Sequence, residues 1–293
     1  METLEFRQGY FSEPAALSAL TDLLRDTFGI DISVQSRLGG PDPSSMPFGY
    51  FDRQGRCVAN FSAFTMPMVI GGKEVKLAGY QSGAVRPEYR GRGLYRQLMT
   101  AAFAWAEKTS HAAGILLTEK PALYESYGFR IVHQFRSLGA PQPPAGATGI
   151  GRKLDISNTD DVKLISQLLV QRQPVSQQFA VAHQKEMFLL NAYLDRQVLL
   201  TYLPKHETVV AWKHGRDGAF IVLDIVAKEM PSMTDLLDAV GYSGNHIEVH
   251  FPTDGLGWQG SKAPCRAECE LMMTDKFGEK LPDGLMLSPM AAF

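Results

Sequence analysis

The segment Val85-Arg86-Pro87-Glu88-Tyr89-Arg90-Gly91-Arg92-Gly93-Leu94-Tyr95-Arg96 decides how this chain is read, because it sets a Gly-x-Gly turn and four arginines between an apolar run and a stretch of helical periodicity. Glycines at 91 and 93 let the backbone curl with its N–H groups pointing inward, and the start of the following helix adds the positive end of its dipole. Such a turn suits a pyrophosphate. A solvated basic turn is the competing reading, and Gly-x-Gly alone leaves that reading ahead. Other phosphate loops fit poorly, since no Gly-Lys-Ser/Thr follows and the third glycine of a dinucleotide fingerprint is missing.

Upstream, Leu4 to Tyr10 reads as a strand, and Ser12 as the N-cap of a helix carrying Leu17, Leu20, Leu24 and Phe28 on one side. Strands follow at Phe48 to Phe51 and Cys57 to Met68, divided by the turn Arg53-Gln54-Gly55. Gly71-Gly72 then makes a hairpin into Val75 to Val85. Downstream, Leu94, Leu98, Ala101, Ala102 and Trp105 fall at helical spacing. Gly114 to Leu117 is a short strand, Pro121 to Tyr127 a short helix and Phe129 to Phe135 a last strand.

Pro and Gly crowd the stretch Leu138 to Gly151 and deny it helix or central strand, so the domain boundary is placed there. Residues 152–293 repeat the order more faintly. A strand at Arg152 to Ile156 leads to helices over Asp160 to Leu169 and Phe179 to Leu194. Strands at Val198 to Leu203, Thr208 to Lys213 and Phe220 to Val226, a helix at Met233 to Val240 and a strand at Ile247 to Phe251 complete the series. Val226 runs on through Ala227-Lys228-Glu229-Met230 without a Gly-rich, Arg-rich turn. The expectation is an α/β chain of two related mixed-sheet domains, 1–140 and 152–293, joined by a linker at 141–151, with only the first holding the phosphate loop.

The formal charge of -2 and pI near 6.4 provide no global field for nucleic acid or an anionic membrane. The start of the chain lacks a secretory signal and no run approaches the length of a membrane span, so a cytoplasmic location is expected. Three cysteines cannot all pair, and Cys265-x-x-x-Cys269 is followed by no second ligand pair, so neither a disulfide framework nor a metal is expected.

Tyr124-Glu125-Ser126-Tyr127-Gly128-Phe129 supplies a second motif after the Arg/Gly loop. Together, Arg90-Gly91-Arg92-Gly93 and this Tyr-x-x-x-Gly-Phe segment resemble the GNAT superfamily of N-acetyltransferases over about residues 1–137. The pattern there is Arg/Gln-x-x-Gly-x-Gly/Ala, and Tyr95 stands where Gly or Ala is usual. Within that superfamily the chain looks like the tandem enhanced intracellular survival (Eis) type, with room for two GNAT-like domains and no sterol-carrier-like third.

The resemblance implies an N-acetyltransferase that moves an acetyl or other acyl group from acetyl-CoA to a primary amine by direct attack. Its acceptor would be a small molecule or a peptide; nucleic acid and membrane are not expected as partners, and a homo-oligomer is left open. Gly83, Ala84 and Val85 become contact positions for the pantetheine arm, and Arg90, Gly91, Arg92, Gly93, Leu94, Tyr95 and Arg96 the pyrophosphate loop. A backbone N–H on the strand serves as oxyanion donor. Tyr124 is the candidate general acid, since a phenol with a pKa near 10 keeps its proton at neutral pH; a core aromatic is the alternative. The base is open. Lys76 to Ser82 contains no carboxylate, Gln81 and Ser82 are able to hold a water, and His133 is another candidate. The Eis resemblance adds the α-carboxylate of Phe293, at the end of an uncharged tail that either crosses to the first domain or closes the second. Phe48, Phe64, Met66 and Met68 are read as core or as an acceptor lining. The rival function is a catalytically weak acyl-CoA-binding regulatory protein.

Overall fold

The apolar run from Cys57 grows into a 14-residue strand that organises the first half of the molecule. The computed structural model describes residues 3–141, 149–274 and 281–293. In chain order the first half contains β1 (Glu5–Gln8), α1 (Pro14–Phe28), β2 (Met46–Phe51), β3 (Cys57–Ile70), β4 (Lys73–Val85), α2 (Leu94–Lys108), β5 (Ala113–Thr118), α3 (Ala122–Glu125), β6 (Phe129–Ile131) and β7 (Phe135–Gly139). The second half contains β8 (Arg152–Leu154), α4 (Thr159–Gln171), β9 (Phe179–Val181), α5 (Glu186–Leu194), β10 (Leu199–Leu203), β11 (Thr208–His214), β12 (Phe220–Val226), α6 (Met233–Val240), β13 (Ile247–Val249), β14 (Ser261–Pro264) and β15 (Glu270–Thr274).

Two mixed sheets result. The first runs β1-β2-β3-β4-β5-β15-β6, with β9 on the free end of β3, and the second runs β14-β7-β13-β12-β11-β10-β8. Each has one parallel pair made by a helical crossover: β4 to β5 through α2, and β12 to β13 through α6. The sheets also exchange strands. β15 lies antiparallel between β5 and β6, while β7 lies between β13 and β14. The chain therefore enters the second sheet before the expected linker, of which residues 142–148 lie outside the described residues. Beyond them, Gly149 and Gly151 donate N–H bonds to Asp238 and Ala239 of α6.

Strand β3 is buried along nearly its whole length because both faces are covered. Phe61 and Ala63 share a core with Leu98, Met99 and Ala102 of α2. Phe64, Met66 and Met68 face the other way, into a cluster with Leu77, Ile115, Leu271, Met273 and the tail residues Leu285 and Leu287. Phe48, Phe64, Met66 and Met68 are at most 2% exposed, so the core reading holds for them.

Three sequence readings change. The helix expected over Phe179 to Leu194 begins as β9, because β2 stops short and the open end of β3 takes up Phe179, Ala180 and Val181. The strand expected over Phe129 to Phe135 divides into β6 and β7, which serve different sheets. The helix expected to start from Ser12 has Glu13 at its N-cap and Pro14 in its first turn. Among the described residues no helix is long and apolar enough to cross a membrane.

A buried ion pair joins the halves to the tail. Arg172 donates to Asp224 of β12 at 3.3 Å and to the carbonyls of Val181 and Ala182 at the β9 end. Asp224 also accepts from Ser288 Oγ at 2.8 Å. With side chains only 2% and 1% exposed, the pair holds the tail in place rather than adding a large net stability, because desolvation offsets its Coulomb attraction.

Candidate functional site

The cleft begins with a mismatch in strand length. Hydrogen-bonded register between β4 and β5 extends from Leu77/Ala113 to Tyr80/Leu116 and stops there, although β4 continues to Val85 and β5 to Thr118. Two parallel strands diverging in this way leave the β5-facing edge of Gln81–Val85 unmatched by a neighbouring strand. A bulge on the opposite edge aims this stretch. Asn60 pairs with Ala84 and Ser62 with Gln81, so one residue of β3 faces Ser82 and Gly83 together.

Ser82 adopts φ 59, a left-handed conformation costing a non-glycine residue about 1–2 kcal/mol. Its carbonyl is held by Asn60 Nδ2 at 2.8 Å, and the same amide group bonds Ser62 Oγ at 3.0 Å. Asn60 Oδ1 accepts from Tyr10 at 2.5 Å. This fully buried polar chain offsets the backbone strain and fixes the direction of the next residues.

Past β4, Arg86 turns away: it donates to Asp26 of α1 at 2.7 Å and to the Cys57 carbonyl at 2.9 Å. Gly91 and Gly93 both take φ 75, with Gly93 capping α2. A Cβ built on Gly91 meets nothing within 4 Å, so glycine is needed there for its backbone angle and leaves open space above the turn. The first N–H groups of α2 have no partner inside the helix. Arg90 bonds the Val85 carbonyl, while Arg92 bonds the Glu88 carbonyl and lies 4.7 Å over the Tyr89 ring. Both side chains, like Arg96, remain exposed.

The result is a cleft of about 620 Å³ between the start of α2 and the α3 segment, lined by Val85, Tyr89 to Arg96, Met99, Ala122, Leu123, Ser126 and Tyr127. It gathers Val85 and the whole Arg/Gly loop. Gly83 lies under Tyr95, whereas Ala84 turns into the core beneath α1. At the inner side, Tyr95 and Tyr124 share a hydrogen bond of 2.6 Å between their hydroxyls. Burial pushes both phenols above the ordinary tyrosine pKa; for Tyr124, bonds from Tyr95 and Thr118 work in the opposite direction. Tyr127 lines the cleft while packing on Phe103.

The tail approaches from the other face of the same sheet. Phe293 stacks edge-on against Phe64 of β3 at 5.0 Å, and Asn191 of α5 holds the Ala292 carbonyl at 2.7 Å. Phe64 in turn occupies the space over Gly79 of β4, where a Cβ would stand 2.3 Å from its ring. Phe293 thus reaches the first sheet, while Ser288 and Met290 of the same tail pack on the second. His133 is exposed between β6 and β7.

In the second sheet, the corresponding strand end is already filled by protein. Leu223 and Ala227 carbonyls accept from Ser288 Oγ and the Gln173 N–H, and Asp224 binds Arg172. The polar chain around Asn60 was not foreseen in the sequence. A Tyr, Asn and Ser scattered over Tyr10, Asn60 and Ser62 carry no motif, and only the bulge brings them to Ser82.

Residues 19–132, which carry β2 to β6, α2 and the Arg/Gly loop, match the family model described as the acetyltransferase (GNAT) domain. No curated protein matches the chain in sequence. Among solved structures it is similar to a probable N-acyltransferase from Enterococcus faecalis, with TM-score 0.60 and 14% identity over 94% of this chain and 74% of that one. It is also similar to Eis1 from Mycobacterium abscessus (TM-score 0.57, 17% identity, 92% and 73% covered). A third likeness is to a GCN5-related N-acetyltransferase from Kribbella flavida (TM-score 0.56, 16% identity, 94% and 73% covered). Each likeness spans both sheets, and at these identities it describes the shared tandem fold.

Proposed function

We propose that this chain is an N-acyltransferase that passes the acyl group of acetyl-CoA, or a close acyl-CoA, directly to a primary amine. The observation that carries this reading is the cleft in which Val85, at the end of the unmatched edge of β4, meets the Arg90–Gly93 turn and Tyr95, whose hydroxyl bonds the buried Tyr124 behind it. Backbone N–H groups at Gly91 to Leu94 and the Arg90 and Arg92 guanidinium groups suit a pyrophosphate, and the Gln81–Val85 edge suits an amide-bearing arm running beside it.

In the proposed step the amine nitrogen attacks the thioester carbonyl while a β4 N–H stabilises the oxygen. The C–S bond then breaks, Tyr124 gives its proton to the departing sulfur, and the amine's proton passes to a base. A Tyr95 hydroxyl donating to Tyr124 steadies the charge left on that phenol. For the base we assign the α-carboxylate of Phe293, acting directly or through water. The filled strand end of the second sheet supports one acyl-CoA site per chain.

The test of the site is charge reversal. Arg90→Glu with Arg92→Glu is expected to weaken CoA binding by about tenfold or more, 1.4 kcal/mol being one factor of ten. Arg216→Glu, an exposed change in the turn between β11 and β12, serves as control. Calorimetry giving equal affinities for all three proteins refutes the loop assignment. A second reading, an acyl-CoA binder with little turnover, is favoured by the absence of a carboxylate between Lys76 and Ser82. Deleting Ala292 and Phe293 separates the two. Under the enzymatic reading kcat falls about 10²-fold, the scale of a lost general base, while acetyl-CoA still binds. Full activity in the shortened protein removes Phe293 from the mechanism.

A further inference from the structure

We propose that Tyr95 is a gate between the Arg/Gly loop and Tyr124, an inference that rests on the acyl-CoA reading above and deepens it. The cleft ends at this side chain. Val85 and Tyr95 belong to its lining, whereas Gly83 and Tyr124 do not, and Tyr124 is only 7% exposed. The Tyr95 phenol closes the distance between those two residues. Its hydroxyl bonds Tyr124 at 2.6 Å, and the same end of the ring lies on Gly83, where an added Cβ would stand 2.3 Å from the oxygen and 3.0 Å from two ring carbons. On β3, Phe61 supports the ring edge-on at 5.5 Å.

No carbon atom fits between Tyr95 and the strand at Gly83, and the hydroxyl of Tyr124 is already engaged. A sulfur carried in from the loop therefore meets Tyr124 only after Tyr95 has released it and left Gly83. The movement is a side-chain rotation: position 95 lies in the first turn of α2, which fixes its backbone, and the cleft of about 620 Å³ beside it receives the ring. A hydrogen bond and aromatic packing hold the closed form, contacts weak enough to leave an open minor form in the free chain. The apparent affinity of the pantetheine arm is reduced by the open fraction, while the nucleotide end of CoA, which needs the loop alone, is unaffected. When the arm withdraws after the reaction, the hydroxyl returns and donates to the Tyr124 oxygen that has given up its proton.

The experiment titrates the full chain by calorimetry with CoA and with ribose-phosphorylated ADP, the nucleotide end of CoA without its arm, and repeats both with Tyr95→Ala and Tyr95→Phe. The quantity read is the Kd of the nucleotide divided by that of CoA, taken inside one protein so that any general change at the loop cancels. Tyr95→Ala removes the gate and is expected to raise this ratio by about tenfold or more, as for a free chain open about one part in ten. Tyr95→Phe, which loses the hydrogen bond and keeps the ring in place, should raise it by no more than about threefold. If Tyr95→Ala does not fold, Tyr95→Leu narrows the side chain with less loss of packing and carries the same comparison. An unaltered ratio in the small variant overturns the gate. A crystal structure of the CoA complex gives the second reading: the hydroxyls of Tyr95 and Tyr124 should stand apart with the arm between Gly83 and Tyr124, and an arm seated while their bond is intact overturns the gate as well. Failure of the unchanged protein to bind either compound refutes the acyl-CoA reading itself, and this inference with it.

Discussion

Tyr124→Phe is expected to lower kcat by about 10²-fold or more and to leave acetyl-CoA affinity nearly unchanged. The substitution removes one oxygen and keeps the ring, which packs edge-on against Phe129 at 6.0 Å, so the core around α3 is retained. Burial raises the Tyr124 pKa above its ordinary value, outweighing the lowering by Tyr95 and Thr118. The sign follows directly: a proton donor with a raised pKa stays protonated to higher pH and loses its function only above that pKa. The falling limb from Tyr124 therefore lies above pH about 10, and any limb between about pH 6 and 9 belongs to the amine or its base. The measurement is steady-state turnover with an amine found by thiol-release screening, alongside the Kd of acetyl-CoA. Unchanged turnover would make Tyr124 a packing residue that only happens to adjoin the cleft.

The parts of this site legible in the sequence are those whose chemistry is local. Gly91 and Gly93 announce backbone angles of a particular kind, and the helix beginning at Leu94 follows from its own periodicity. The motif Tyr124-x-x-x-Gly128-Phe129 is also contiguous, with Gly128 at φ 87 turning the chain from α3 into β6. Long-range pairing is a different matter. Phe179-Ala180-Val181 lies next to an apolar helical stretch and gains strand structure only from the open end of β3. Val132-His133-Gln134 looks like the middle of one strand, yet the chain leaves the first sheet there. Gln134 marks the crossing, accepting from Leu287 of the tail through its side chain and from Cys265 through its carbonyl. β15 escaped the sequence reading altogether, because Glu270 to Thr274 is short and follows a cysteine-bearing polar stretch with no turn signature. Its strand character comes from the two edges it fills.

A chain ending at Ala140 is expected not to fold, because the exchange of strands takes a central element out of the first sheet. β15 bonds β5 on one side and β6 on the other, with Met272 facing both Leu116 and Ile131 in register. Leu271 and Met272 are 0% exposed and Met273 3%, and they serve both faces: Met272 joins the core under α2, Leu271 and Met273 the one under the tail. Loss of each large apolar side chain from such a core costs about 2–5 kcal/mol, and three of them approach the whole stability of a domain, about 5–15 kcal/mol. The shortened chain would also expose the open edges of β5 and β6 and leave β7 without β13 and β14, which favours aggregation. Co-expression with residues 149–293 returns the missing strands and should recover a soluble complex that binds CoA. A cooperative thermal transition and a native near-ultraviolet spectrum from residues 1–140 alone would show instead that β5 and β6 can close on each other, making the exchange a convenience of the full chain rather than a condition of its fold.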